Sequence, residues 1–205
     1  LVTLLSLSVI LLGAYVRLSD AGLGCPDWPG CYGQLTAPDS EAEIASANNA
    51  YPHRPVESHK AWKEMAHRYL AGTLGLAILL LAIITWRNRH LGQQPLLLAW
   101  LLLLVVLFQA ALGMWTVTLL VKPAVVTAHL LGGFATLALL WMVTLRLYAP
   151  FSARHVINQP TRLLWLSRLG LLILLLQITL GGWTSTNYAA LGFSEFPSSH
   201  PGLWC

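Results

Sequence analysis

The chain has 205 residues, 12 Lys+Arg against 8 Asp+Glu, a formal net charge of +4, 56% hydrophobic residues and only 10% charged residues. A water-facing globular surface takes about 25% charged residues, so an ordinary soluble domain is excluded. The small basic excess does not make this a nucleic-acid binder. The charge-poor composition points to an integral membrane protein.

Uncharged runs cover 1–16, 69–86, 95–121, 123–145 and 169–194. About 20 apolar residues cross a bilayer as a helix, so five membrane helices are predicted. The first run opens on Leu1 and leaves only 16 residues before Arg17. That is roughly 24 Å of helix against a hydrocarbon core of ~30 Å. No basic start or small-residue cleavage site marks a signal peptide. The expectation is a first membrane helix that lacks its first turn or two.

A long polar segment, 18–63, follows and carries Cys25 and Cys31 around Pro-Asp-Trp-Pro-Gly. Arg87-Asn88-Arg89-His90 separates the second and third runs, and Arg146, Arg154, Arg162 and Arg168 lie between the fourth and fifth. Neither of these connections contains an acid; all eight acids fall in 18–63, at the start of the second helix, or at Glu195. Short loops rich in Arg stay in the cytoplasm, so the N-terminus is placed there and 18–63 outside. In a bacterium this is the inner membrane, with the loop in the periplasm. Disulfides persist in that compartment, and two prolines and a glycine between the cysteines favour a tight reversal. A Cys25–Cys31 disulfide is the preferred reading; a metal-binding pair is the alternative, with no neighbouring His or Cys to complete it.

A shift of 168 residues aligns Ala21-Gly22-Leu23-Gly24-Cys25-Pro26-Asp27-Trp28-Pro29 with Ala189-Ala190-Leu191-Gly192-Phe193-Ser194-Glu195-Phe196-Pro197. Upstream, Gly13-Ala14-Tyr15 meets Gly181-Gly182-Trp183. The fifth helix therefore reads as a second copy of the first. A shorter echo sets Gln109-x-x-Leu112-Gly113-x-Trp115-Thr116 beside Gln177-x-x-Leu180-Gly181-x-Trp183-Thr184, read as similar helix-exit packing. The predicted fold is all-α: a four-helix transmembrane bundle repeat plus the first helix of a duplicated second bundle. Its parts are residues 1–148 as the N-terminal repeat, 149–162 as a cytoplasmic linker, and 163–205 as the truncated start of the second repeat.

Seven histidines are present. His53, His59, His90, His155 and His200 fall in polar segments and read as solvated loop residues. His67 and His129 lie inside membrane runs, where an ionisable side chain faces a bundle interior or a functional site. His67 lies one turn below Lys63, and His129 lies six residues after Pro123, roughly 9 Å in. The two helices run the same way, so both imidazoles sit in the outer half of the bilayer. Ala71 and Gly75 share a face with His67, as Gly132 and Gly133 do with His129, which leaves room for a flat macrocycle. The preferred reading is haem, its iron held by His67 and His129 as axial ligands. The competing reading makes the glycines a close-packing device with the histidines bonding across it. Zinc fits less well, because it takes three or four ligands. Glu64 precedes His67 by one turn and is a candidate general base, or else a helix-start acid favoured by the macrodipole. Arg17, Lys63, Arg68 and Lys122 are candidates to neutralise haem propionates.

Three segments then carry a family resemblance. Gly-Ala-Tyr-Val-Arg-Leu-Ser-Asp-Ala-Gly-Leu-Gly-Cys-Pro-Asp-Trp-Pro-Gly-Cys (13–31), Glu64-Met-Ala-His67-Arg68 and Val126-Thr-Ala-His129-Leu resemble haem A synthase. The resemblance runs over the whole chain. It implies an eight-helix enzyme of two four-helix halves that oxidises the ring methyl of haem O to the formyl of haem A for terminal cytochrome oxidases. It also implies that the N-terminal half holds substrate haem on His67 and His129, with Glu64 as its catalytic carboxylate and Cys25 and Cys31 as its outer-loop pair. A haem b is expected in the second half, with ligands near positions 235 and 297 by the repeat shift, beyond this chain; this fragment alone is expected to be inactive. Phe193 and Ser199 stand where the shift would put a second cysteine pair. Implied partners are haem O, haem O synthase, an electron acceptor, the lipid membrane and another copy of the chain. The rival functions are a bis-histidine cytochrome b that only transfers electrons, and a haem carrier.

Overall fold

In lipid a backbone has no water to bond with, so a spanning segment must satisfy its polar groups internally, as a helix does. The apolar runs obey this rule. The computed structural model describes residues 1–91, 94–148 and 161–187. It contains α1 (Val2–Leu18), α2 (Glu41–Ala50), α3 (Ser58–Arg87), α4 (Leu96–Thr118), α5 (Pro123–Tyr148) and α6 (Thr161–Thr186). Helices α3, α4, α5 and α6 are long and apolar enough to cross a membrane; α1, at 17 residues, is a shorter apolar helix. The protein is a multi-pass membrane helical bundle.

Helix α1 packs on α3, α3 on α4, α4 on α5, and α5 back on α1, which closes a four-helix ring. Thr3 and Thr144 share a hydroxyl hydrogen bond of 2.9 Å across α1 and α5. Helix α6 packs on the outside of α5 and buries only Gly182 and Thr186 among its residues. A Cβ on Gly182 would lie 3.0 Å from Leu130 Cδ2, so this glycine lets the two helices approach closely. The leucines of α6 are exposed, as a lipid-facing surface requires.

The core is split. One cluster, outside the bundle, gathers Cys25, Cys31, Tyr32, Ala37 and Ala47 onto Ala61 and Met65 of α3. The other, deep in the bundle, joins Leu74 and Ile78 of α3 to Leu102 of α4 and Leu140 of α5. Along α3 the gap from Met65 to Leu74 is nine residues, about 13 Å of helix. His67 lies in that gap.

The helix bounds differ from the sequence expectation at three places. The segment drawn as an outer loop over 18–63 contains α2, and α3 already starts at Ser58. Helix α2 is polar, so no apolar periodicity announced it; its signal is the capping box at Ser40 and Glu43. The fifth apolar run starts its helix at Thr161, eight residues early, and takes Arg162 and Arg168 into α6. Long arginine stems lie along apolar surface while their heads reach out, so charge did not end the helix. Most of the 149–162 linker, with His155, and all of 188–205, with Glu195, His200 and Cys205, lie outside the described residues.

The capping box sets a test. Ser40 Oγ accepts from the Glu43 amide at 3.3 Å, and Glu43 Oε2 accepts from the Ser40 and Asp39 amides at 3.0 and 3.1 Å. These amides hold the Glu43 carboxyl below its ordinary value of 4.5. The cap is therefore complete above pH 4.5 and is lost as pH falls through the lowered value. At pH 7, Ser40→Ala should cost α2 about 1 kcal/mol, or about fivefold faster amide exchange over its first turn. Unchanged exchange there would show that α2 is held by packing alone.

Candidate functional site

The site is built from the outside inward, starting with the cysteine loop. Cys25 and Cys31 form a disulfide, with Cα atoms 4.9 Å apart. The bond disposes of the metal-pair reading. After it, Tyr32 (φ +54°) and Gly33 (φ +75°) make a two-residue reversal between Cys31 and Gln34, whose backbones bond at 2.8 and 3.1 Å. Positive φ at both central positions is the type I′ requirement. The Asp27 carboxylate accepts the amides of Tyr32 and Gly33 at 2.6 and 2.7 Å, so the loop carries its own internal brace. Burial raises the Tyr32 phenol above its usual value.

Two α3 side chains tie this loop to the bundle. Glu64 is 5% exposed; its Oε2 accepts the Cys25 amide at 3.0 Å. Its Oε1 takes a hydrogen bond from Arg68 Nη2 at 2.5 Å, an ion pair at i,i+4. Arg68 Nη1 also donates to the backbone carbonyls of Asp27, Pro29 and Gly30. Gly24 makes the approach possible: a Cβ there would lie 2.6 Å from the Lys60 carbonyl carbon of α3. Arg68 thus joins Glu64 to the loop backbone. Lys63 lies over the Tyr15 ring at 5.0 Å, Arg17 donates to the Ser185 carbonyl of α6 at 2.5 Å, and Lys122 is exposed.

Below the loop lie the two membrane histidines. His67 on α3 and His129 on α5 are close enough to interact electrostatically. In each ring Nδ1 is buried without a hydrogen-bond partner. An unpartnered imidazole nitrogen in a membrane core is costly unless something binds it. Among the described residues, no three His, Cys, Asp or Glu side chains gather as a metal cluster, so a tetrahedral zinc set is not formed. Two imidazoles in a break in the core do suit axial ligation of a haem. His53 and His90 are exposed loop residues, whereas His59, expected in the loop, is exposed on the first turn of α3.

The glycines sort differently from expectation. Gly75 faces open space, since nothing lies within 4 Å of an added Cβ. Gly132 does not leave a void: the Gln109 side chain fills it and donates from Nε2 to the His129 carbonyl at 2.9 Å. Gly13 on α1 and Gly113 on α4 are the glycines beside the imidazoles. Sequence reasoning passed over Gln109 and Arg68 as site-builders. The available signals were the Gln-x-x-x-Gly echo and the i,i+4 spacing of Glu64 and Arg68.

The clamp can be tested. Arg68→Gln should destabilise the full chain by about 3 kcal/mol, because it strands a buried carboxylate. Adding Glu64→Gln should recover part of that loss. A thermal-denaturation double-mutant cycle measures it, and simple additivity of the two losses would refute the coupling.

Residues 1–204 match the sequence profile of COX15-CtaA, described as cytochrome oxidase assembly protein. The chain is 47% identical over 195 residues to a haem A synthase of Shewanella oneidensis, covering 94% of this chain and 57% of that protein. It is 30% identical over 215 residues to a haem A synthase of Mesorhizobium japonicum, covering 96% of this chain and 58% of that one. The chain thus spans a little over half the length of these relatives. No solved structure matches it. On a profile match that spans nearly every residue, the chain belongs to the COX15-CtaA family of cytochrome oxidase assembly proteins.

Proposed function

We propose that the protein is a haem A synthase of the bacterial inner membrane, an oxidoreductase that converts the ring methyl of haem O to the formyl of haem A. The observation that carries this reading is the break in the bundle core, where His67 and His129 meet with buried, unpartnered ring nitrogens. The names of the relatives support it. In this reading the N-terminus is cytoplasmic and the cysteine loop periplasmic. Haem O is the substrate held in this four-helix repeat, and a haem b is assigned to a second repeat. Haem O synthase and an electron acceptor are the proposed partners.

His67 and His129 bind the substrate iron from α3 and α5, which fixes the macrocycle between the helices. The reaction removes two electrons from the methyl to give an alcohol, then two more to give a hydrated aldehyde, which loses water to the formyl. Each oxidation takes up the oxygen of one water, passes two electrons to the proposed electron acceptor and releases two protons. Glu64, one turn outward of His67, is the candidate to take one or to orient water. Its oxygens already accept from Arg68 and the Cys25 amide, and each keeps a second lone pair for a water or a proton. The disulfide loop, braced by Asp27 and clamped by Arg68, covers this end of the bundle and keeps Glu64 in place.

Haem extraction from membranes that express the whole protein with a haem O supply tests the reading. Haem A should appear in the wild type. Unchanged haem O with a normal cytochrome spectrum would favour electron transfer or carriage. His67→Ala and His129→Ala should each lower haem retention without loss of membrane insertion, since one iron bond goes and helix hydrophobicity stays. Glu64→Gln should bind haem O and accumulate it or its alcohol, with little haem A, while Glu57→Gln should behave as wild type. Normal haem A output from Glu64→Gln returns Glu64 to a purely structural role.

A further inference from the structure

Both imidazoles lie against a glycine of a neighbouring helix. A side chain at that point would stand between the ring and the helix, whereas a glycine lets the ring lie on the backbone. A Cβ on Gly13 of α1 would lie 2.8 Å from His67 Cε1, and one on Gly113 of α4 would lie 3.4 Å from His129 Cε1. Other helical glycines do not share the property, since a Cβ on Gly72, Gly170 or Gly181 would meet nothing within 4 Å.

We propose that Gly13 and Gly113 are positioning residues, each of which makes room on a neighbouring helix for one imidazole and so sets the direction in which that ring presents its nitrogens to a haem iron. The proposal rests on the haem-binding reading of His67 and His129. The groups packed on a metal-bound histidine orient its ring. The two contacts differ in tightness. The His129 backbone is pinned as well, because Gln109 donates to its carbonyl. His67 has the tighter glycine, with the ring already inside the distance at which a methyl group must displace it.

The experiment uses the whole protein, reconstituted with haem O, and compares Gly13→Ala, Gly113→Ala and Gly72→Ala. Its readouts are haem occupancy, low-spin electron paramagnetic resonance, reduction potential, and the melting of the haem-free form. Gly13→Ala should weaken haem retention by about tenfold or more, the usual scale for loss of a second-shell partner. Gly113→Ala should keep the haem but shift its resonance and potential. Gly72→Ala should match wild type in all four. A merely structural role would move the melting of the haem-free form and leave the resonance of the haem that remains unaltered; that result overturns the proposal. If Gly13→Ala fails to reach the membrane, Gly113→Ala decides alone, and a wild-type resonance and potential there overturns it. Wild-type protein with no His67-dependent haem sinks the functional reading, and this proposal with it. His67-dependent haem that ignores both glycines sinks this proposal alone.

Discussion

An imidazole inside a membrane has no water to turn to, and the rest of this structure follows from meeting that demand twice. The bundle brings His67 and His129 into one layer and stops packing apolar residues there. Above the layer the core is made by the cysteine loop; below it, by leucines and isoleucine on α3, α4 and α5. The two rings lie instead against glycines of the other two helices of the ring, Gly13 of α1 and Gly113 of α4.

The outer loop depends on the same helix. Glu64 and Arg68 are one turn apart on α3 and flank His67, so the residues that hold the loop and the residue that faces the core share one rigid element. The pair is well shielded, with side-chain exposures of 6% and 12%. Buried ion pairs give little net stability but are expensive to leave half-made. This explains why Arg68 also collects three loop carbonyls: each added acceptor offsets part of the cost of bringing the guanidinium out of water. It also means that the Glu64 carboxylate and the disulfide loop are mechanically linked.

Much of this was legible beforehand. The apolar runs marked the helices because bilayer thickness demands a length that composition reveals directly. His67, His129 and the Cys25–Cys31 pair stood out because ionisable groups in lipid and cysteines in an outward loop are rare. Helix α2 stayed hidden because Ile44 is its only large apolar residue, and its start is marked by a capping box and not by periodicity. Gly132 misled for a different reason. A missing side chain says that something comes close, but not what, and here the occupant is Gln109 and not a void. Arg68 stayed one of four candidate cations because a cation near a membrane surface has many possible anions, and only three dimensions show that it meets the Glu64 carboxylate and three backbone carbonyls.

Arg17 reaches the carbonyl of Ser185, a residue 168 positions away. That separation equals the shift at which the two sequence segments align, so Arg17 touches the position aligned with itself. The contact is one-sided, because a guanidinium gives and a peptide oxygen receives. Any amino acid presents that oxygen, so the junction between α1 and α6 depends on the side chain at 17 and tolerates any residue at 185.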